Sequence, residues 1–383
     1  MSGPFTFEEE KAPEMEAEKR RVPLSSFRVD HASTVGLSWE KIEALRPPII
    51  IEGFLRQGEV MLLGAESKSR KSWLAQDAGI AVASGTPWLS DGDEIEGFKT
   101  AKGCVHVFDL ELADSEVKYR FAKSRGNRLK DNLEAQNTLS RTFHSYSLEG
   151  EPALAILAYL DELAGEVNRG DLVIVDCLYR LQADGNETEQ VAIIFEKLKR
   201  FAKQTQAGVL LVDHFRKAGA DKARDRIAGS FVKSASASTL VAIEVKADDV
   251  LELNIDARTF HGMNRVHARF DLESYCFHQV SEQHVKSERE ARKQGEIEGW
   301  LGQLWRAKSL DFLVGNADGM EKWELSRPAA TSRFGKLEQA GFIKIAEEGA
   351  GKATKWRLVD KGREILARNL GLHPDLHPKP EAK

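Results

Sequence analysis

From residue 49 onward, short continuous apolar runs alternate with amphipathic stretches, the pattern of strands alternating with helices. The runs VMLLGA (60–65), GCVHVFDLE (103–111), DLVIVDC (171–177), GVLLVDHF (208–215), STLVAIEVK (238–246) and VLELNIDAR (250–258) predict strands. The intervening stretches 71–84, 115–125, 152–167 and 189–205 predict helices. Strands that are apolar throughout are buried on both faces, so the pattern implies a mainly parallel sheet covered by helices, an α/β core. The last two runs pass into one another through a short turn containing Asp248 and Asp249, which predicts an antiparallel extension of that sheet.

Outside this region the pattern changes. Residues 38–45 predict a short helix, with Ser38 as N-cap and Glu40 in its first turn. Lys41 stands where a capping box needs Glu or Gln, and Pro47 and Pro48 end the helix. Past about residue 280 the charged segment SEQHVKSEREARKQGE predicts a linker or connecting helix. Residues 326–366 then read as helix, strand, Gly-rich turn, strand and helix, a small α+β unit. The expected division is a disordered tail over 1–22, a core domain over 23–280, a connector over 281–310, a small domain over 311–370 and a disordered tail over 371–383.

Composition narrows the class. With 42% hydrophobic and 30% charged residues the chain has enough apolar surface to fold, and 383 residues suit a large core with an appendage. Its three cysteines form no CxxC pair, which suggests a reducing compartment. No apolar run approaches the roughly 18 residues a membrane span needs, and the N-terminus is acidic, so the expectation is a cytoplasmic protein without a membrane partner. A net charge of −5 speaks against a uniformly basic surface and leaves room for a local basic channel.

The first candidate chemistry lies where the run 60–65 enters a loop. Gly64, Ala65, Glu66, Ser67, Lys68, Ser69, Arg70, Lys71, Ser72 and Trp73 link a predicted strand to a predicted helix in the P-loop order, which makes them the candidate nucleotide-binding residues. A helix N-terminus offers unpaired N–H groups and a positive dipole end to phosphate; Lys71 would reach the β- and γ-phosphates of ATP, and Ser72 would ligate Mg2+. Ala65 and Arg70 occupy the two glycine positions of the motif, so a chance Lys-Ser pair opening a surface helix is the alternative. The partner residues weigh against chance. Asp176 ends an apolar strand in the Walker B position, suited to Mg2+. Glu111 ends another, as the base that would polarise water, with Asp109 as the rival on the same strand face. Asp213 and His214 end a third, where they could sense the γ-phosphate. Arg258 follows a late strand and could stabilise a neighbouring subunit's phosphoryl group, with Arg226 as the other candidate and Arg265 and Arg269 just beyond.

The ordered segments EGFLRQGEVMLLGAESKSRKSWLAQDAGIAVASGTPWL, FDLEL, VIVDCLYRL and VDHFRK, with a downstream AGS, resemble the RepA-like AAA_25 branch of RecA/DnaB-type ATPases over residues 38–272. The resemblance implies a RecA-like P-loop NTPase core, dependence on ATP and Mg2+, ring-shaped hexamers and action on single-stranded DNA. By residue, it implies Walker A roles for Lys71 and Ser72, a catalytic role for Glu111, a Walker B role for Asp176 and a sensor role for His214. The C-terminal unit looks like a winged helix, with Thr331, Ser332 and Arg333 near the start of a candidate recognition helix and residues 349–352 at the wing tip. Lys336, Lys344, Lys352 and Lys355 would favour nucleic acid, duplex DNA included, with a structural or oligomerisation role as the alternative. The expected function is a DNA-stimulated ATPase or replicative helicase of a plasmid, phage or mobile element. The alternative is a nucleotide-controlled DNA-binding regulator with slow hydrolysis.

Overall fold

The structure, a computed structural model, describes residues 28–90, 95–129, 132–182, 187–214, 236–246, 249–262, 265–305, 313–347 and 353–369, with Ser26 and Lys233 individually. The tails at 1–22 and 371–383, the stretch 216–230 with Arg226, and the wing-tip residues 349–352 lie outside the described residues.

The chain opens with α1 (Trp39–Glu43), capped by the Ser38 side chain as expected, and a small ribbon of β1 (Ile49–Ile51) and β2 (Leu55–Arg56). The core follows as β3 (Val60–Ala65), α2 (Lys71–Ser84), β4 (Val105–Asp109), α3 (Asp114–Arg128), α4 (Leu133–Thr142), β5 (Phe143–Ser147), α5 (Ala153–Leu163), β6 (Leu172–Asp176), α6 (Glu187–Thr205) and β7 (Gly208–His214). Then come β8 (Thr239–Val245), β9 (Val250–Ala257), β10 (Arg265–Phe270) and β11 (Phe277–Val280). One nine-stranded sheet holds them in the order β11-β10-β9-β8-β3-β7-β6-β4-β5. Strands β8, β3, β7, β6, β4 and β5 are parallel, and β9, β10 and β11 extend the sheet in antiparallel fashion. This is a RecA-like α/β core, with the mainly parallel sheet that the apolar runs predict.

Two apolar layers, one on each face of the sheet, hold it together. One contains α2 with Phe54, Trp88 and the hairpin strands; the other contains α5 and α6 over Leu62, Val173 and Val209. Ten of the fourteen residues of α2 are buried, which is why its sequence is apolar all round instead of amphipathic. It lies so close to the sheet that a Cβ on Gly79 would stand 2.9 Å from Ile174 Cδ1, and only glycine allows that approach.

Strand β5 and helix α4 are not among the predicted elements. The strand FHSYS sits at the sheet's edge with mixed burial, so it lacks the apolar run that betrays a central strand.

The remaining elements are α7 (Glu282–Trp305), β12 (Val314–Gly315), α8 (Asn316–Trp323), α9 (Arg327–Gln339), β13 (Ile343–Glu347), β14 (Lys355–Leu358) and α10 (Asp360–Asn369). The connector expected over 281–310 is a helix whose final turn, with Trp300, Leu301, Leu304 and Trp305, belongs to the core of the small α+β unit. That unit has the three-stranded sheet β12-β14-β13, with Phe334 stacked on Trp356 at 4.2 Å. The candidate recognition helix begins earlier than expected, at Arg327 with Pro328 in its first turn, so Thr331, Ser332 and Arg333 lie in mid-helix.

Candidate nucleotide site

Parallel strands bring the functional residues to one edge of the sheet. In register, Ala65 faces His214 across β3 and β7, and Asp109 faces Asp176 across β4 and β6. Side chains from these strand ends and from the start of α2 surround a cavity of about 330 Å³, lined among others by Lys71, Ser72, Glu111, Asp176 and His214. The loop residues Ser67, Lys68 and Arg70, with Trp73 and Arg120, complete its wall.

The two departures from the glycine pattern have different consequences. Ala65 is the last residue of β3 and wholly buried, in ordinary strand conformation, so its methyl group is accommodated without backbone strain. Arg70, at the N-cap of α2, takes φ 64° and ψ 19°, the left-handed region that glycine adopts freely. That conformation costs a non-glycine residue about 1–2 kcal/mol. Its guanidinium lies 4.7 Å from the centre of the Phe270 ring on β10, a cation–π contact worth about 0.5–1 kcal/mol or more when shielded. The stacking offsets much of the strain, so arginine can stand in the loop where glycine is usual.

Lys71 is 4% exposed, and its Nζ lies 3.2 Å from His214 Nδ1. Burial, and then the nearby Lys71 charge, hold the His214 pKa below its ordinary value, so the ring is neutral near pH 7 and Nδ1 accepts from the ammonium. Asp176 is 6% exposed, and burial pushes its pKa up to about 6, opposed by a hydrogen bond from Ser72 and reinforced by the charge of Asp109. Its Oδ1 is buried with no hydrogen-bond partner. A buried carboxylate oxygen left over beside a serine hydroxyl and a lysine is the donor set a hard cation with a polyphosphate would satisfy, so the residues present fit Mg2+ and ATP.

Geometry separates Glu111 from Asp109. The strand stops at Asp109, whose Oδ1 accepts the backbone N–H groups of Glu111 at 3.0 Å and Leu112 at 2.9 Å. Asp109 therefore caps the turn, and Glu111 stands in the turn beyond the strand instead of on a shared strand face. Glu111 is partly exposed to the cavity; its Oε1 accepts the Tyr179 hydroxyl at 2.5 Å, and its Oε2 lies 3.9 Å from His214 Nε2. Asp213, neighbour of His214, is buried and paired with Lys233 at 2.7 Å, and it does not line the cavity. Arg258 follows β9 at the opposite edge of the sheet, since Ala257 faces Thr239 at the start of β8; within one chain it is not brought to the site. Arg265 and Arg269 are likewise outside the cavity wall, and Arg269 pairs with Asp249 and Glu288.

Sequence reasoning missed Tyr179, which bonds Glu111, and Arg120 in the cavity wall, and it gave no role to Cys177 behind them. Tyr179 and Cys177 follow Asp176 directly in DCLY, so a reading of strand ends that included the next turn would have found them; Arg120 lies on α3 and left no local signal.

The core topology and the cavity define a P-loop ATPase. Residues 28–220, just over half of the chain, match the AAA_25 family (AAA domain), and the chain belongs to it. No curated protein matches it. Among solved structures it is similar to an isolated ATPase domain, at 15% identity over 66% of this chain and 100% of that one, with a TM-score of 0.48. A DnaB-like replicative helicase, studied with its interactions with primase, also matches at 15% identity, over 66% of this chain and 68% of that chain, with a TM-score of 0.49. The RadB recombinase matches at 12% identity over 60% and 93%, with a TM-score of 0.42. No described helix is long and apolar enough to cross a membrane.

Proposed function

We propose that the chain is a RepA-like ATP-dependent motor that hydrolyses Mg-ATP while acting on single-stranded DNA, as a ring of identical subunits, in the cytoplasm, during replication of a plasmid, phage or similar element. The observation that carries this reading is the convergence of Lys71, Ser72, Asp176 and Glu111 on one cavity at one sheet edge. The loop N–H groups and Lys71 bind the phosphates, and Lys71 leaves His214 for them. Ser72 and Asp176 would hold Mg2+, which neutralises charge developing on the phosphates. Glu111 accepts a proton from the attacking water, with Asp109 fixing the turn that carries it. His214, between Lys71 and Glu111, is placed to register the γ-phosphate. Arg258, at the far edge, acts on a neighbouring subunit's nucleotide.

The test is ATP turnover with and without single-stranded DNA. We expect DNA to accelerate turnover and Lys71→Ala to abolish it; turnover indifferent to DNA removes the motor reading.

One observation favours a second reading, a nucleotide-controlled DNA-binding regulator. The helices and three-stranded sheet of the small unit support reading it as winged-helix-like, a kind of domain that often presents a helix to the major groove. The basic face of α9 is partly folded inward, with Arg333 4.7 Å and Lys336 5.4 Å from the Trp300 ring centre, so those two stabilise the unit as well as charging it. Duplex-specific binding with slow turnover and no strand separation is the outcome this reading expects.

A further inference from the structure

Beside the cavity, three different donor types meet, two of them in its wall. One carboxylate oxygen of Glu111, the Cys177 sulfur and a ring nitrogen of His214 all lie within 4.8 Å of one another. They come from three elements, the turn after β4, the residue after β6 and the end of β7, so the sheet itself sets their spacing. Four-coordinate zinc holds sulfur at about 2.3 Å and nitrogen or oxygen at about 2.0–2.2 Å, which places its ligands roughly 3.3–3.7 Å apart. The Glu111 and His214 atoms, at 3.9 Å, nearly meet this already. The remaining separations, up to 4.8 Å, are wider than this, so a bound ion draws the three side chains together.

We propose that Glu111, Cys177 and His214 form a binding site for a borderline or soft divalent cation, zinc or cadmium, that blocks ATP hydrolysis. The chemistry differs from that of the magnesium position one residue away. Asp176 and Ser72 offer oxygen alone and suit a hard cation, whereas a thiolate with an imidazole selects zinc or cadmium and leaves magnesium aside. Binding breaks the Cys177 S–H bond, forms a sulfur–metal bond and releases the proton to solvent; nothing is oxidised or reduced. Glu111 and His214 line the open cavity and give the ion its way in, while Cys177, wholly buried, lies beneath them. A metal here takes Glu111 from the attacking water, so occupancy and hydrolysis exclude each other. The inhibitory consequence rests on the ATPase reading of the cavity; the binding does not.

The full chain, free of nucleotide, is titrated with cadmium alone and followed by thiolate-to-cadmium charge-transfer absorption. The band is expected in the wild type and in the double variant Cys104→Ser/Cys276→Ser, and is expected to vanish in Cys177→Ser. His214→Ala should weaken cadmium binding by at least about tenfold, since losing even an outer-shell partner costs that much. A band that persists in Cys177→Ser, one missing from a double variant of native circular dichroism, or an affinity untouched by His214→Ala overturns the proposal. In a second arm, zinc should inhibit wild-type ATP turnover and spare that of Cys177→Ser; equal inhibition of both overturns the inhibitory claim. If no turnover is seen before zinc is added, the ATPase reading fails, and the cadmium titration still decides the site.

Discussion

Tyr179 donates its hydroxyl to Glu111, joining the turn after β6 to the turn after β4, where Glu111 lines the cavity. The bond restrains a partly exposed carboxylate, and it leaves the other carboxylate oxygen for water. Tyr179→Phe keeps the ring and removes the bond. A net hydrogen bond is worth ~1 kcal/mol, so kcat should fall by about three- to tenfold with KM nearly unchanged. Steady-state kinetics at saturating DNA decides it; a changed KM with unchanged kcat would place Tyr179 in binding instead.

The two carboxylates after β4 should fail in different ways. Glu111→Gln keeps shape and loses the base, so turnover should drop by about 10²–10⁴-fold while ATP still binds. Asp109→Asn weakens the acceptor that fixes two backbone N–H groups, so its main effect should be a lower melting temperature. Nucleotide binding and thermal melts on the two variants separate the roles.

Asp176 makes the free protein pay for its function. A carboxyl whose pKa rises from 3.8 in the unfolded chain to about 6 in the fold binds its proton more tightly when folded. The resulting penalty is absent below the lower value, grows between the two and is complete above the upper one. Asn cannot ionise and escapes it. Nucleotide-free Asp176→Asn should therefore resist heat better than wild type at about pH 8, by roughly 1–3 kcal/mol, with the gap closing as pH falls below about 4, while Mg-dependent turnover is lost. A variant less stable than wild type at the higher pH would contradict the burial argument.

Arg70→Gly restores the residue usual in a phosphate loop. It relieves a left-handed arginine and gives up the Phe270 stack, two effects of similar size. The thermal midpoint should move by no more than about 2–4 °C, since 1 kcal/mol has that effect in a large domain. Phe270→Ala leaves the strain and removes its offset, so it should destabilise more. Parallel melts of the two variants test the balance.

The central strands could be read from sequence because burial on both faces leaves an uninterrupted apolar run, as VMLLGA and DLVIVDC show. Lys71, Ser72 and Asp176 were legible for a related reason: the ends of parallel strands converge on one sheet edge, so position along a run already implies position in space. Its place at the end of the run favours Glu111 over Asp109, but the strand face expected to carry both is not shared, because where the strand stops is fixed by hydrogen bonds from the turn. The edge strand β5 escaped because partial exposure lets polar residues in. The cation–π contact between Arg70 and Phe270 joins residues two hundred apart in the chain, and nothing local announces it.

Helix α7 has a further mechanical meaning. Its 24 residues form an unbroken rod about 36 Å long, tied near its root to β10 through Arg269 and Glu288 and sunk at its tip among the tryptophans of the small unit. Tilting such a rod by about ten degrees swings its tip by about 6 Å. A small adjustment at the margin of the sheet would thereby be magnified where the rod enters the small unit.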